Sequence, residues 1–152
     1  MKKLKFLLSN EKNTLELGRS ISAYLIKGLL IFLKGDLGAG KTTLARGIIN
    51  GLGHNGPVKS PTYSLIEQYE FDMFTLNHFD LYRFASANEW SSSGFQEYVN
   101  SHEVTLIEWP EKSAEFLPKP DLEIELLYEN ESRIAYIDSF TEKGNKCLEN
   151  LV

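Results

Sequence analysis

Residues Gly35-Asp36-Leu37-Gly38-Ala39-Gly40-Lys41-Thr42 fit the pattern G-x-x-x-x-G-K-[ST] without a mismatch. A chance match in a chain of this composition is on the order of 1%. The residue types suit one task. Glycines let the backbone fold into a nest whose N–H groups point at phosphate oxygens. Lys41 supplies positive charge to β and γ phosphates, and Thr42 offers a hydroxyl to Mg²⁺. The pattern therefore predicts a magnesium–nucleoside triphosphate site.

Magnesium in such a site also needs an acid at the carboxyl end of a neighbouring strand. Two residues qualify. Asp80 closes Leu76-Asn77-His78-Phe79, and Glu108 closes Val104-Thr105-Leu106-Ile107. The second run is the more apolar, which makes Glu108 the better ligand candidate. Asp80 could hold metal through water or orient the attacking water. His78 reads as a packed or solvated strand residue. Hydroxyls at Ser60, Thr62 and Ser64 follow the first helix after the loop, where a γ-phosphate-sensing switch is often found. A plain loop fits Ser60-Pro61-Thr62-Tyr63 about as well.

The elements around these residues must deliver them to one place. Leu29-Leu30-Ile31-Phe32-Leu33 is a continuous apolar run, as expected of a strand covered on both faces. The glycine loop follows it and opens a helix from about 41 to 50, closed by Gly51 and Gly53. Upstream, residues 1–8 read as a first strand. Ser9 or Asn10 can cap a helix from about 11 to 27, with Leu17, Ile21 and Leu25 on its buried stripe. Downstream, strands at about 65–69 and 74–79 should pair as a hairpin around Asp72, and 104–107 is a further buried strand. Residues 85–100 are weakly patterned. A short helix near 111–116 is stopped by Pro118 and Pro120. Segments 122–128 and 133–138 alternate as an antiparallel edge hairpin turned at Glu129-Asn130-Glu131. The tail from Thr141 reads as an exposed, peripheral helix. The sum is an α/β fold: one P-loop NTPase domain over residues 1–152, with a central mixed sheet flanked by helices.

The bulk numbers set limits on partners. A net charge of −5 argues against a broad nucleic-acid footprint, so no DNA partner is expected. No stretch approaches the ~20 apolar residues of a membrane span. Cys147 stands alone, which rules out an intrachain disulfide and fits a reducing cytoplasm.

These segments together resemble the bacterial TsaE (YjeE) ATPase family, which supports threonylcarbamoyladenosine formation in tRNA. The resemblance is carried by Gly35 to Thr43, Ser60-Pro61-Thr62-Tyr63, His78-Phe79-Asp80-Leu81-Tyr82-Arg83 and Ile107-Glu108-Trp109-Pro110-Glu111, in family order and spacing. It implies ATP hydrolysis and a complex with the family's partners TsaB and TsaD. TsaD transfers threonylcarbamoyl to the adenosine beside the anticodon, and TsaE resets or regulates the machine, so tRNA is reached indirectly. By the same resemblance Gly38, Ala39, Gly40, Lys41, Thr42 and Thr43 hold phosphates, and Thr42 and Glu108 bind Mg²⁺. Asp80 matches a Walker-B-like aspartate, Glu11 and Arg133 match positions near the nucleotide, and Trp109 matches a tryptophan beside the site. One segment departs: Ala85-Ser86-Ala87-Asn88-Glu89-Trp90 stands where the family shows an Asp-Pro-Glu-Glu-Leu-like stretch.

Three rivals remain to be weighed. A small-molecule P-loop kinase closes an arginine-bearing lid, but Arg19, Arg46, Arg83 and Arg133 are widely spaced. A GTPase needs Asn-Lys-x-Asp, and Asn145-Lys146-Cys147-Leu148 lacks the aspartate. A nucleotide-gated binding module with incidental hydrolysis is the third. No arginine is placed as a finger, so intrinsic ATPase activity should be weak and should rise on binding a partner.

Overall fold

The computed structural model describes residues 2–151; Met1 of the expected first strand and Val152 of the expected tail lie outside the described residues. Seven strands form one mixed sheet: β1 (Lys3–Leu8), β2 (Leu30–Lys34), β3 (Ile66–Glu70), β4 (Thr75–Asp80), β5 (Val104–Glu108), β6 (Leu122–Glu129) and β7 (Ser132–Ser139). Their order is β1-β7-β6-β2-β5-β4-β3. The four middle strands β6, β2, β5 and β4 run parallel. Antiparallel partners β7, β1 and β3 finish the two sides.

The parallel strands are apolar on both faces because both are covered. Ile31, Leu33, Leu76, Val104 and Leu106 share a core with α2 (Lys41–Gly51) and α1 (Glu11–Ser22), which pack against each other. Leu30, Phe32, Phe79 and Ile107 face a second layer containing Leu81, Phe84 and Trp90. Trp90 sits in the short helix α3 (Glu89–Ser92) and is fully buried against Phe79, with ring centroids 5.1 Å apart. The weakly patterned stretch 85–100 is therefore an aromatic cover built from short turns, and the divergent Ala85–Trp90 segment contributes its largest side chain.

Asn10 caps α1, its side chain accepting from the Asn13 amide at 2.9 Å. The helix stops at Ser22, five residues before the expected end. Ser22 turns its hydroxyl onto the Arg19 carbonyl (2.6 Å), and the amides of Tyr24 and Leu25 close with i−3 bonds that tighten the chain off the helix. Leu25 is still buried, so the apolar spacing persists beyond the helix that it resembles.

Two further expectations are corrected. The β6–β7 hairpin is interior, because β6 pairs with β2 and β1 covers the far side of β7 from Lys3↔Asp138 to Leu8↔Arg133. Alternation reports that one face is wet; it says nothing about whether the edge is paired. The C-terminal helix α4 (Glu142–Glu149) is docked, with Gly144, Cys147 and Leu148 buried. Asp121 anchors it, accepting from the Leu30 amide (2.8 Å) and from the hydroxyl of Thr141, the helix cap (2.6 Å). Burial pushes the Cys147 thiol up to about 11, in keeping with an inert packing residue.

Candidate functional site

The loop from Gly35 to Gly40 leaves the carboxyl end of β2 and enters α2, so the N–H groups of the first helical turn and the loop open in the same direction. Gly35, Gly38 and Gly40 all have positive φ (145°, 77° and 109°). At Gly35 the need for glycine is also spatial, since a Cβ there would lie 2.6 Å from the Leu126 carbonyl oxygen. Lys41 is buried, and its ammonium donates to the carbonyls of Gly35 and Asp36, the latter at 3.0 Å. The same ammonium lies 4.1 Å from the centre of the Trp109 ring. Burial pulls its pKa below the ordinary lysine value, opposed by the carboxylates of Glu108, Glu111, Asp80 and Asp36. Trp109 is held at φ 59°, ψ 47°, an uncommon conformation for a residue with a Cβ, and this turn directly after β5 brings the indole over the loop.

Parallel pairing sets Asp80 of β4 level with Glu108 of β5. Because side chains alternate along a strand, His78, Asp80, Leu106 and Glu108 all project from the α2 face. The Thr42 hydroxyl reaches both Glu108 oxygens at 3.2 Å. Asp80 accepts from the Thr62 hydroxyl (3.1 Å) and from the Tyr82 amide (2.9 Å), and Ser60 and Thr62 share a hydrogen bond of 2.8 Å. Burial pushes the Asp80 carboxyl above its ordinary range. The Tyr82 amide opposes this, Glu108 adds to it, and Thr62 opposes it again. Leu37, Gly38, Gly40, Lys41, Thr42, Thr43, Thr62, Asp80, Glu108 and Trp109 line one cleft.

A second cleft, of 260 Å³, adjoins the first through Gly38, Gly40 and Thr43. Glu11 and Arg133 lie there, with Ala39, Asn10 and Thr14. Arg133 stacks its guanidinium 4.0 Å from the Tyr128 ring and donates to the Gly38 carbonyl at 3.5 Å. The Tyr128 hydroxyl donates to the Leu37 carbonyl at 2.7 Å, which ties β6 to the loop. Glu11 is paired with Arg46 at 3.7 Å.

The residues expected to hold phosphate, metal and nucleoside thus fall on two adjoining clefts, whereas Ser60, Ser64 and His78 line neither. The oxygens of Thr42, Glu108 and Asp80 are hard donors suited to magnesium. Among the described residues no three His, Cys, Asp or Glu side chains converge as a metal cluster. A hard cation here would draw its further oxygens from a nucleotide and water, the usual habit of magnesium. Three participants escape a residue-by-residue reading: the contact of Trp109 with Lys41, the Tyr128 strut, and His78, whose Nε2 lies 2.6 Å from Glu108. Trp109 was marked by the family resemblance, and His78 carries a local signal, its i, i+2 spacing to Asp80 on a strand; Tyr128 carries neither.

Residues 8–135 match the family described as threonylcarbamoyl adenosine biosynthesis protein TsaE. The chain is 37% identical to the tRNA threonylcarbamoyladenosine biosynthesis protein TsaE of Haemophilus influenzae, over 97% of both chains. It is 34% identical to the protein of the same name from Bacillus subtilis, over 96% of this chain and 90% of that one. A crystal structure of Bacillus subtilis YdiB superposes with a TM-score of 0.85 at 29% identity, covering 99% of this chain and 94% of that one.

Proposed function

Since the chain belongs to the threonylcarbamoyl adenosine biosynthesis protein TsaE family, we propose that it is a magnesium-dependent ATPase acting in tRNA N6-threonylcarbamoyladenosine formation, where it binds and resets a TsaB–TsaD complex. The observation that carries this reading is the convergence of Lys41, Thr42, Asp80 and Glu108 on one cleft at the carboxyl end of the sheet.

In this reading the amides from Gly38 to Thr43 bind the phosphate oxygens, with Lys41 on the β and γ groups. Lys41 leaves the Gly35 and Asp36 carbonyls to do so. Thr42 and Glu108 would hold magnesium, whose charge would offset that of the phosphates. Asp80 orients the attacking water and is itself aimed by Thr62 and the Tyr82 amide. Glu11 and Arg133 border the nucleoside, beside Asn10 and Thr14. Among the described residues that line the phosphate cleft none is an arginine. The transition-state charge would then be met by Lys41, the loop amides and the bound metal without an arginine, and an arginine finger is worth about 10³–10⁵ in rate. Slow hydrolysis in isolation follows, with acceleration when a partner completes the site.

Phosphate release measured with and without TsaB–TsaD tests the proposal. Turnover should be slow alone and should rise on adding the complex. Lys41→Ala should abolish both rates, by about 100-fold or more, while the circular dichroism spectrum stays unchanged. Equal and fast turnover with and without partners, or normal turnover by the lysine variant, would overturn it.

A further inference from the structure

His78 has no part in the chemistry above, yet it is fully buried on β4, between β5 and the edge strand β3, where burying a polar ring carries a cost that an aliphatic residue would not. Its neighbours in the ladders are Leu106 on β5 and Glu67 on β3. Of its two ring nitrogens, Nε2 lies 2.6 Å from Oε2 of Glu108, and Nδ1 has no partner among the described residues. A carboxylate only accepts, so the shared proton belongs to Nε2. The opposite tautomer would turn a lone pair toward the carboxylate and place an N–H donor on Nδ1, which has no acceptor among the described residues. The geometry therefore selects a ring that carries an N–H on Nε2, aimed at Glu108.

Glu108 is almost as deeply buried, at 2% exposure, and its other contact is the Thr42 hydroxyl. That hydroxyl is the weaker tether, because its donation is divided between two oxygens at 3.2 Å. The only donor fixed by a rigid ring on a rigid strand is His78. We propose that His78 is a positioning residue: its Nε2–H locks the rotation of the Glu108 carboxylate, so that the acid is pre-set for the magnesium held with Thr42. This deepens the magnesium-dependent reading above and rests on it. Outer partners of metal-binding carboxylates typically alter metal affinity by 10–100-fold when removed.

The test compares wild type, His78→Leu and His78→Gln for binding of a non-hydrolysable ATP analogue, by calorimetry, in EDTA and in magnesium. The gain in affinity between the two conditions measures the metal's contribution. His78→Leu should lose about tenfold of that gain and leave the EDTA affinity within about twofold of wild type. Glutamine carries an N–H at a similar reach and should restore most of the gain. Equal losses for leucine and glutamine would mark a packing role, and an undiminished gain in the leucine variant would also refute the proposal. If wild type itself gains nothing from magnesium, the metal reading of the site fails instead. Independently of any variant, a long-range ¹⁵N–¹H spectrum of the metal-free wild type should show His78 carrying a proton on Nε2. A bare Nε2 would overturn the assignment.

Discussion

Two carboxylates side by side at the bottom of a half-closed cleft repel each other, and Asp80 bears the consequence. Burial and the neighbouring Glu108 hold its carboxyl above the ordinary range, although the Tyr82 amide and the Thr62 hydroxyl oppose the shift. A raised carboxyl pKa means that the folded state binds the proton more tightly than the unfolded chain. Stability therefore falls as pH rises from the ordinary carboxylate value of about 4 through the raised one, and the ionised group remains a net cost at neutral pH. Asp80→Asn removes that cost. Its carbonyl can still accept from Tyr82, and the Thr62 hydroxyl can turn to accept from the new amide. In EDTA the variant should melt higher than wild type at pH 7, and the difference should vanish below about pH 4. ATP hydrolysis should fall at the same time, a trade of function against stability typical of such sites. A variant that melts lower than wild type at pH 7 would contradict the electrostatic account. Asp80, Glu108 and the glycine loop were readable in the sequence because each ends an apolar run or fits a spaced pattern. Glu11 and Arg133 entered through family resemblance alone. They share a cleft because β1 and β7 pair although residues 9–131 lie between them, which no local pattern can report.

The element that carries the loop is α2, and its position depends on a crossing of backbones. Gly47 of α2 meets Gly18 and the Leu15 carbonyl of α1, while a Cβ at Gly18 would lie 2.5 Å from the Leu44 carbonyl oxygen. The two helices touch glycine to glycine, and no flexible side chain can yield. Gly47→Ala sets two effects against each other. Alanine favours a helix interior by about 1 kcal/mol over glycine. Forcing a methyl against fixed backbone costs about 1–3 kcal/mol, and separating the helices would loosen further contacts. The clash should win. A fall in Tm of roughly 3–6 °C is expected, with weaker nucleotide binding because α2 opens at its loop end. A higher Tm would show that the helices can part freely. The first helix was legible from its apolar spacing and the second from its place after the glycine loop, and of the two cap candidates, Ser9 and Asn10, the second serves. The stopping point of α1 was not, because Ser22 ends it through a hydrogen bond to its own turn while Leu25 keeps the helical spacing. The docking of α4 was equally hidden. It depends on Asp121, whose partners Leu30 and Thr141 are remote in sequence.

At the scale of the whole molecule, the two clefts belong to opposite sides of the sheet. The phosphate side is built from α2, the ends of β4 and β5, and the Thr62 turn. The second side is built from Leu8 of β1, the first turn of α1, Glu131 of the β6–β7 turn and Arg133 of β7. Only Gly38, Gly40 and Thr43 belong to both. The mixed sheet itself was expected from the strand–loop–helix order, yet this division appears only once β1 and β7 are placed beside β6. A ligand that fills both clefts must tie the antiparallel side of the sheet to the parallel side, whereas a bare phosphate chain can order the parallel side alone. Hydrogen exchange separates the two cases. Magnesium pyrophosphate should slow exchange in the loop 35–41, around Thr62 and at Trp109, and leave 10–14 and 131–133 unchanged. A non-hydrolysable ATP analogue with magnesium should slow all of these segments. The global shift should follow occupancy, about 2.7 kcal/mol at a hundredfold excess over Kd. Protection at 10–14 by pyrophosphate would mean that the sheet tightens as one body, without a nucleoside in the second cleft. No protection there by the analogue would place the nucleoside elsewhere. Either result would remove Glu11 and Arg133 from the nucleotide site while leaving the phosphate side intact.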